Sequence, residues 1–521
     1  MDEMALTAFS SHASLRVRSR RHLGNPLAWP DPPAAGAITP FPRTLIAALL
    51  IGLTALSLLY GVLSESFVEG DDITHYLYAR YAPAHPHYFL DVWGRPLVTG
   101  LYALPAQYNP EMARALTSLV AALGAWLAWR TSRSLALSLA PLGLVLTFTT
   151  PRFFQLSFSL LTEPLFAVLL TGAILAYMRG HRLVSAAIVS LSPLARPEGF
   201  FVGVLWGLLF LFAPQDGAGR GEFRKVLRHR LLPIVILPLG TLAWNAVGFA
   251  TDGDPLWLVH HWPSNWVPEP VYGSGSWTHF LSLMPGFVTY YFFAFFLLGF
   301  FDLLRRGQWL VPLVCAYMVA LHTVLWGFGL FGSAGYSRYL VSVAPAFAIC
   351  TTAGFSRVFD WIRHRWPRPG WAIGVVSALA VALLVTVWPH VTPCRKAVDF
   401  ALIDPAAKWV QEQLRARPGT RVAAAHTYLY FAADIDSWYQ GLPFTEQELR
   451  KAPVGTLAFW ETAFAEGFSR ITPEDLCEWG YERIDKKGIC DWDACLGRVG
   501  LRETGTSGST PFDWEMYEKR R

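Results

Sequence analysis

Apolar runs of membrane-spanning length recur along this chain, and a run of about 20 apolar residues is what a helix needs to cross hydrocarbon. They lie near 45–64, 112–129, 135–151, 156–178, 183–195, 199–213, 231–250, 283–304, 309–331, 339–356 and 371–389. The expectation is therefore a polytopic α-helical membrane protein with about eleven spans. Composition agrees: charged residues are 16% and mean hydropathy is +0.32, against about 25% charged in soluble domains.

Two of these runs, 183–195 and 199–213, flank Arg196-Pro197-Glu198 and also read as one broken helix. Charge decides between the readings, because cytoplasmic loops are rich in Lys and Arg. With eleven spans and the N-terminus inside, twenty basic residues before residue 394 fall inside. Six fall outside: Arg80, Arg95, Arg114, Arg152, Arg196 and Arg338. Merging the two runs would put the basic loop 220–230 outside and destroy the bias. Eleven spans place the tail outside. The implied location is a membrane, multi-pass, with the N-terminus cytoplasmic.

The chain divides into a basic cytoplasmic arm, 1–43, a transmembrane region, 44–393, and a tail, 394–521. The first run is too long for a signal peptide and lacks a small-residue cleavage site, so it reads as an uncleaved span. The tail carries 17 Lys+Arg and 20 Asp+Glu. It reads as a small extracytoplasmic α/β domain, with a helix over 404–417, strands at 421–425 and 455–461, and a helix over 473–479 capped by Thr472. Cys394, Cys477, Cys490 and Cys495 lie there and permit two disulfides in three connectivities. Cys315 and Cys350 read as small buried side chains within spans.

The outer face concentrates chemistry. The first outer loop, 65–111, is long and rich in tyrosine, which suits helices lying in the interface. It opens with Asp71 and Asp72 beside His75. Adjacent carboxylates repel and raise one another's pKa. Such a pair suits proton transfer, or simply a solvated acidic turn. Asp91-Val92-Trp93-Gly94-Arg95 adds an acid, an aromatic ring and a cation. His85 and His87 form at most half a metal site and suit hydrogen bonding better.

Glu163, in Thr162-Glu163-Pro164, is expected about two turns inside the fourth span, where an ionisable group is a functional hypothesis by default. Its plain alternative is an ion pair with Arg196 or Arg152. Ala195-Arg196-Pro197-Glu198-Gly199 marks a sharp outer turn, and Gly253-Asp254-Pro255-Leu256-Trp257 precedes His260 and His261. Arg338 and Tyr339 open the tenth span, where a cation and a helix N-terminus both favour an anion such as a lipid phosphate.

In this order and on one side, the acidic pair, the T-E-P span, the A-R-P-E turn, the G-D-P-L-W loop and the R-Y-L span resemble the GT-C superfamily of polytopic glycosyltransferases. The resemblance covers roughly 45–390 and is closest to bacterial members akin to protein O-mannosyltransferases and aminoarabinose transferases. It implies a helical bundle, interfacial helices in the first outer loop, a polyprenyl-phosphate-linked sugar donor and inversion at the anomeric carbon. It also implies a catalytic base in the first outer loop, which maps onto Asp71 or Asp72. This chain has Asp-Asp where Asp-Glu is usual, so either carboxylate fits. It lacks the W-W-D-type motif of oligosaccharyltransferases, which argues against transfer of a whole glycan to asparagine.

Sugar transfer needs a base for the acceptor hydroxyl and positive charge for the departing phosphate. Arg338, Arg196 and Arg95 supply the charge, with Glu163, Tyr339, His75, His260 and His261 as further binding candidates. One phosphate can be held by arginine, so no metal or other cofactor is required, although some superfamily relatives use a divalent metal. The expected partners are the donor lipid, the bilayer and a glycan, lipid or protein acceptor. Nucleic acid is not expected, because the basic residues follow membrane topology. The rival classes are a lipid or glycan transporter (flippase), for which the inverted repeats are missing, and a non-catalytic glycan-binding scaffold. The side assignment has a direct test. A reporter fused after Ala425 is expected to be active only outside the cytoplasm, and one fused near Gly219 only inside. The reverse pattern overturns every side given above.

Overall fold

A computed structural model describes residues 41–212, 230–263, 273–366, 374, 377–383, 385, 392–490 and 512–521, with backbone alone at 485–490. The arm, the basic loop near Gly219 and most of the expected span 371–389 lie outside the described residues.

Helix α1 (Arg43–Leu63) leads into a loop carrying α2 (Gly70–Tyr81) and α3 (Pro96–Tyr102). The chain then enters α4 (Pro110–Ser134). Ser57 of α1 lies 2.8 Å from Ser118 of α4 and 2.6 Å from Ser157, oxygen to oxygen. Such hydroxyl pairs join helices where lipid supplies no hydrophobic drive. The opposite face of α1 exposes more than half of Ile51, Leu59, Val62 and Leu63.

Next come α5 (Pro141–Thr149), α6 (Pro151–Leu156), α7 (Glu163–Met178), α8 (Arg182–Ser190) and α9 (Glu198–Phe212). Helices α10 (Leu232–Ile236), α11 (Leu239–Asp252) and α12 (Trp257–His260) follow. The last helices of this region are α13 (His279–Phe287), α14 (Tyr290–Arg305), α15 (Leu310–Gly327) and α16 (Ala344–Arg365), the last preceded by a 3-10 turn, Ser337–Val343.

Among the described residues, five segments are long and apolar enough to cross a membrane, or six if α13 and α14 count as one. The count of eleven is thus met only in part. Expected span 135–151 is split, because Pro141 opens α5 and Pro151 opens α6. Span 283–304 bends by 108° between α13 and α14, at Thr289 with φ 70°. Helices α7 and α9 have 16 and 15 residues. At 1.5 Å per residue they reach about 23 Å, short of the roughly 30 Å hydrocarbon core. Glu163 is the first residue of α7, not a residue two turns inside a longer helix. Pro164 starts that helix rather than loosening it, since a proline in the first turn removes no intrahelical donor.

The bundle has two chemically distinct ends. At one, Asp302 meets Arg306 at 2.5 Å and Arg357 at 3.5 Å, and Ser138 donates to Asp360 at 2.6 Å. The other end carries the first loop, the start of α7, the start of α9 and the 3-10 turn before α16. Helices α14 and α16 approach through Gly299 and Gly354. A β-carbon on Gly299 would sit 1.8 Å from the Cys350 carbonyl oxygen, and one on Gly354 1.9 Å from that of Phe295.

The tail forms α17 (Val398–Ala416), β1 (Val422–Ala424), α18 (Thr427–Ala432), β2 (Gly441–Leu442), α19 (Glu446–Lys451), β3 (Leu457–Glu461), α20 (Pro473–Glu478), β4 (Tyr481–Cys490) and β5 (Phe512–Lys519). The sheet order is β2-β1-β3-β5-β4, parallel where β1 meets β2 and β3, antiparallel where β5 meets β3 and β4. Thr472 caps α20 as expected, and Asp475 completes the capping box. The helix expected from 404 begins at Val398.

Cys394 and Cys477 are free thiols; the side chains of Cys490 and Cys495 lie outside the described residues. The tail sits on the first loop. Arg80 pairs with Asp434 and His85 with Asp436, both at 2.7 Å, and Phe431 packs against Phe67 and Tyr76.

Gly354→Leu is expected to separate α14 from α16. The protein should lose its folded, monodisperse state, as read by size-exclusion chromatography and thermal unfolding in detergent. Wild-type behaviour would refute the close approach.

Candidate functional site

The first loop brings two adjacent carboxylates to opposite surroundings. Asp72 is fully buried, and both of its oxygens accept backbone donors: Oδ1 from Leu160 at 2.6 Å, Oδ2 from Val68 at 2.9 Å. Burial pushes its pKa up to about 6, against the pull of Arg114 and these two N–H groups. Asp72 thus ties the start of α2 to the turn before α7. Asp71 keeps 44% of its side chain exposed and accepts from Arg338 Nη2 at 2.5 Å. Burial among protein raises its carboxyl, but the Arg338 charge and hydrogen bond outweigh that and hold it below the usual range.

Arg338 joins the halves of the site. Its Nη1 lies 2.7 Å from Glu69 and its Nε 3.9 Å from Glu163 Oε1. Arg196 reaches the same Glu163 oxygen, Oε1, at 2.6 Å, and grips Glu198 through two bonds, Nη2 to Oε1 at 2.7 Å and Nε to Oε2 at 3.1 Å. The Tyr339 ring lies beneath both cations, 5.5 Å from the Arg196 guanidinium carbon and 5.7 Å from that of Arg338. Tyr336 covers Arg338 at 5.1 Å. Thr162 Oγ1 accepts from Arg196 Nη1 at 2.8 Å and from Arg95 Nη1 at 3.0 Å.

Arg95 also donates to His75 Nε2 at 3.2 Å, so that nitrogen is the acceptor and Nδ1 carries the proton. Burial and the Arg95 charge hold His75 well below its ordinary pKa, and it is neutral. Its ring stacks on Trp93 at 4.9 Å. Burial lowers Arg95 to about 10, which leaves it charged. Arg95 adopts φ 64°, an uncommon conformation for a side chain of its size, and this turns its guanidinium toward Thr162. Asp91 is not the partner of Arg95: its Oδ1 accepts from the Gly94 amide.

The six arginines on this side each find a role. Arg80 ties the loop to the tail, and Arg152 donates to Gln155 Oε1 at 2.7 Å. Arg114 donates to the carbonyls of Gly61, Ser64 and Ser66, which closes the end of α1. Arg95, Arg196 and Arg338 form the cluster. His260 and His261 face Asp254 and Asp252, at 2.7 and 3.6 Å, rather than that cluster. His85 pairs with Asp436, and the His87 ring lies 3.8 Å from Trp438. Among the described residues no group of three or more His, Cys, Asp or Glu side chains converges as a metal set.

The sequence reading did not select Glu69, Thr162, Tyr336 or His322 as site residues. Glu69 and Thr162 stand beside residues it selected. His322 is a lone ionisable residue inside an apolar run, which was itself a signal.

No protein-family model matches the chain, and no curated protein matches it in sequence. Solved structures do match its fold. Crystal structures of ArnT from Cupriavidus metallidurans, bound to undecaprenyl phosphate and in the apo state, align with TM-scores of 0.57 and 0.56. Identity is 11% and 12%; each alignment covers 91% of this chain, and 97% and 98% of the ArnT chains. The chain therefore has the fold of ArnT, a polytopic helical membrane fold followed by a mixed sheet. That likeness, at this identity, concerns the fold.

The two aspartates are separable by experiment. An amide at position 72 would turn a donor toward one of two backbone donors and leave a buried group unpaired, at a cost of about 1–3 kcal/mol. Asp72→Asn is expected to lower thermal stability, and Asp71→Asn to leave it near wild type. Equal melting temperatures for Asp72→Asn and wild type would refute the bracing role.

Proposed function

We propose that this chain is an inverting membrane glycosyltransferase that moves a sugar from a polyprenyl-phosphate donor to an acceptor hydroxyl. The observation that carries the reading is Arg338 set between an accessible, ionised Asp71 and the buried Arg196–Glu163 pair, on the fold of ArnT. ArnT was solved with undecaprenyl phosphate bound.

In this reading Asp71 is the base. It takes the proton of the acceptor hydroxyl as that oxygen attacks the anomeric carbon. The bond from the anomeric carbon to the phosphate oxygen breaks, and the polyprenyl phosphate leaves with the electron pair. Arg338, with Arg196 and Arg95, stabilises the charge on that oxygen. Phosphate competes with Asp71 for Arg338. Drawing the guanidinium toward the phosphate weakens its hold on Asp71 and makes the carboxylate a better base, so donor binding prepares the base. Asp72 has no free oxygen for this role. A single phosphate held by arginine needs no metal. The proposal includes eleven spans, an inner-membrane location with the site and tail outside the cytoplasm, and an acceptor met there.

Purified protein given polyprenyl-phosphate sugars tests the reading, together with lipid mass spectrometry of a strain lacking the protein. The strain should accumulate the donor lipid and lack one glycan. Asp71→Asn is expected to reduce transfer about 10²–10⁴-fold, with donor binding retained. Arg338→Ala is expected to weaken donor use about 10- to 150-fold. Asp91→Asn is the milder control. Transfer at the wild-type rate by Asp71→Asn would remove it as the base.

A further inference from the structure

We infer that His322, on α15, is a sugar-recognition residue whose Nε2 hydrogen-bonds a neutral hydroxyl of the transferred sugar, paired with the free oxygen of Glu163. This deepens the transferase reading and rests on it.

The starting point is a set of buried polar atoms with no hydrogen-bond partner among the described residues. Glu163 Oε2, His322 Nε2, His75 Nδ1, Arg95 Nε and Arg338 Nε all belong to it. Leaving such a group unpaired costs free energy, and a cluster of them marks a place made for a ligand. These five atoms belong to one connected assembly. Glu163 bonds Arg196, which shares Thr162 with Arg95, which bonds His75. His322 joins it from α15. Its ring stacks on Tyr339 at 5.5 Å with 17° between the planes, and Tyr339 lies under both Arg196 and Arg338. Glu198, Arg196 and Glu163 are the charges that act on it.

The kinds of orphaned atom identify the ligand. A carboxylate oxygen only accepts, so Glu163 Oε2 calls for a donor. A phosphate diester has no donor and cannot satisfy it. A hydroxyl both donates and accepts, and so can serve Glu163 and a histidine nitrogen together. A cation is less suited, because Glu163 already faces Arg196 at 2.6 Å and Arg338 at 3.9 Å. His322 is 1% exposed and packs on Phe280 at 5.5 Å, so its ring is held in place before any ligand arrives. The arginines then hold the phosphate, and Glu163 with His322 reads the sugar.

His322→Phe separates recognition from packing, because phenylalanine keeps both ring contacts and removes only the nitrogens. The probes are undecaprenyl-phosphate glucose, galactose and mannose, with monodeoxy analogues of whichever is used best. Wild type is expected to use one deoxy donor about 2- to 12-fold less well than its parent, the size of one net hydrogen bond. His322→Phe should lose a similar factor on the parent and no longer distinguish it from that deoxy donor. A donor with an amine in place of the same hydroxyl should be used less well than the parent. His322→Gln, which restores a polar nitrogen at the Nε2 position, should recover part of the discrimination. Transfer by wild type with no discrimination among deoxy donors overturns the inference without any variant. So does a His322→Phe enzyme that keeps the wild-type pattern, or preference for the amine. Use of none of the probes by wild type overturns the transferase reading itself, and this inference with it.

Discussion

The ion network built on Arg196 is the constraint around which the rest of this structure is arranged. Its guanidinium is almost fully buried between Glu163 and Glu198. Charges taken out of water are costly unless geometry returns what desolvation removes. Here the return comes from paired bonds to Glu198, one to Glu163, one to Thr162 and the Tyr339 ring. Removing any one charge would strand its neighbours. The arrangement must therefore be assembled whole, which makes it a rigid base for the more exposed pair of Arg338 and Asp71.

Breaks in the helices make that assembly geometrically feasible. Glu163 begins α7, Glu198 begins α9, and Arg338 lies in a 3-10 turn before α16. Each charged side chain thus sits at an element's start, where the chain turns and free backbone donors remain. An uninterrupted span would have carried these residues out along a cylinder, facing lipid over part of its turn. The short helices and the long loop are what the site requires of the bundle. Asp72 and Arg114 then hold the loop in register, one by accepting amides and the other by donating to carbonyls.

Asp71 and Asp72 show where sequence reading stops. Two identical side chains, adjacent in the chain, looked equivalent. Successive residues of a helix point about 100° apart, so one met backbone amides and the other met Arg338. Glu163 was expected at the wrong depth, because apolar composition does not distinguish a span from a short helix and the turn before it. His260 and His261 were attractive by composition, yet local acids at Asp254 and Asp252 engage them. Strand β5 went unread although its apolar and charged residues alternate, and β4 is too charged to resemble a strand on its own; β5 pairs with both β3 and β4, and β4 pairs with β5.

The sequence by itself determined the membrane class, the recurrence of spans, the presence of an α/β tail and the motifs that point to the GT-C fold. Those features depend on local composition and order, which hydrocarbon and backbone hydrogen bonding translate directly into helices. Tertiary structure alone decided which carboxylate stays accessible, that Arg338 binds Glu69 and Asp71 some 270 residues away in the chain, and that His322 stands beside the cluster. Those outcomes depend on distances between side chains far apart in sequence. Burial and charge act over a few ångströms in space, and no spacing along the chain encodes them.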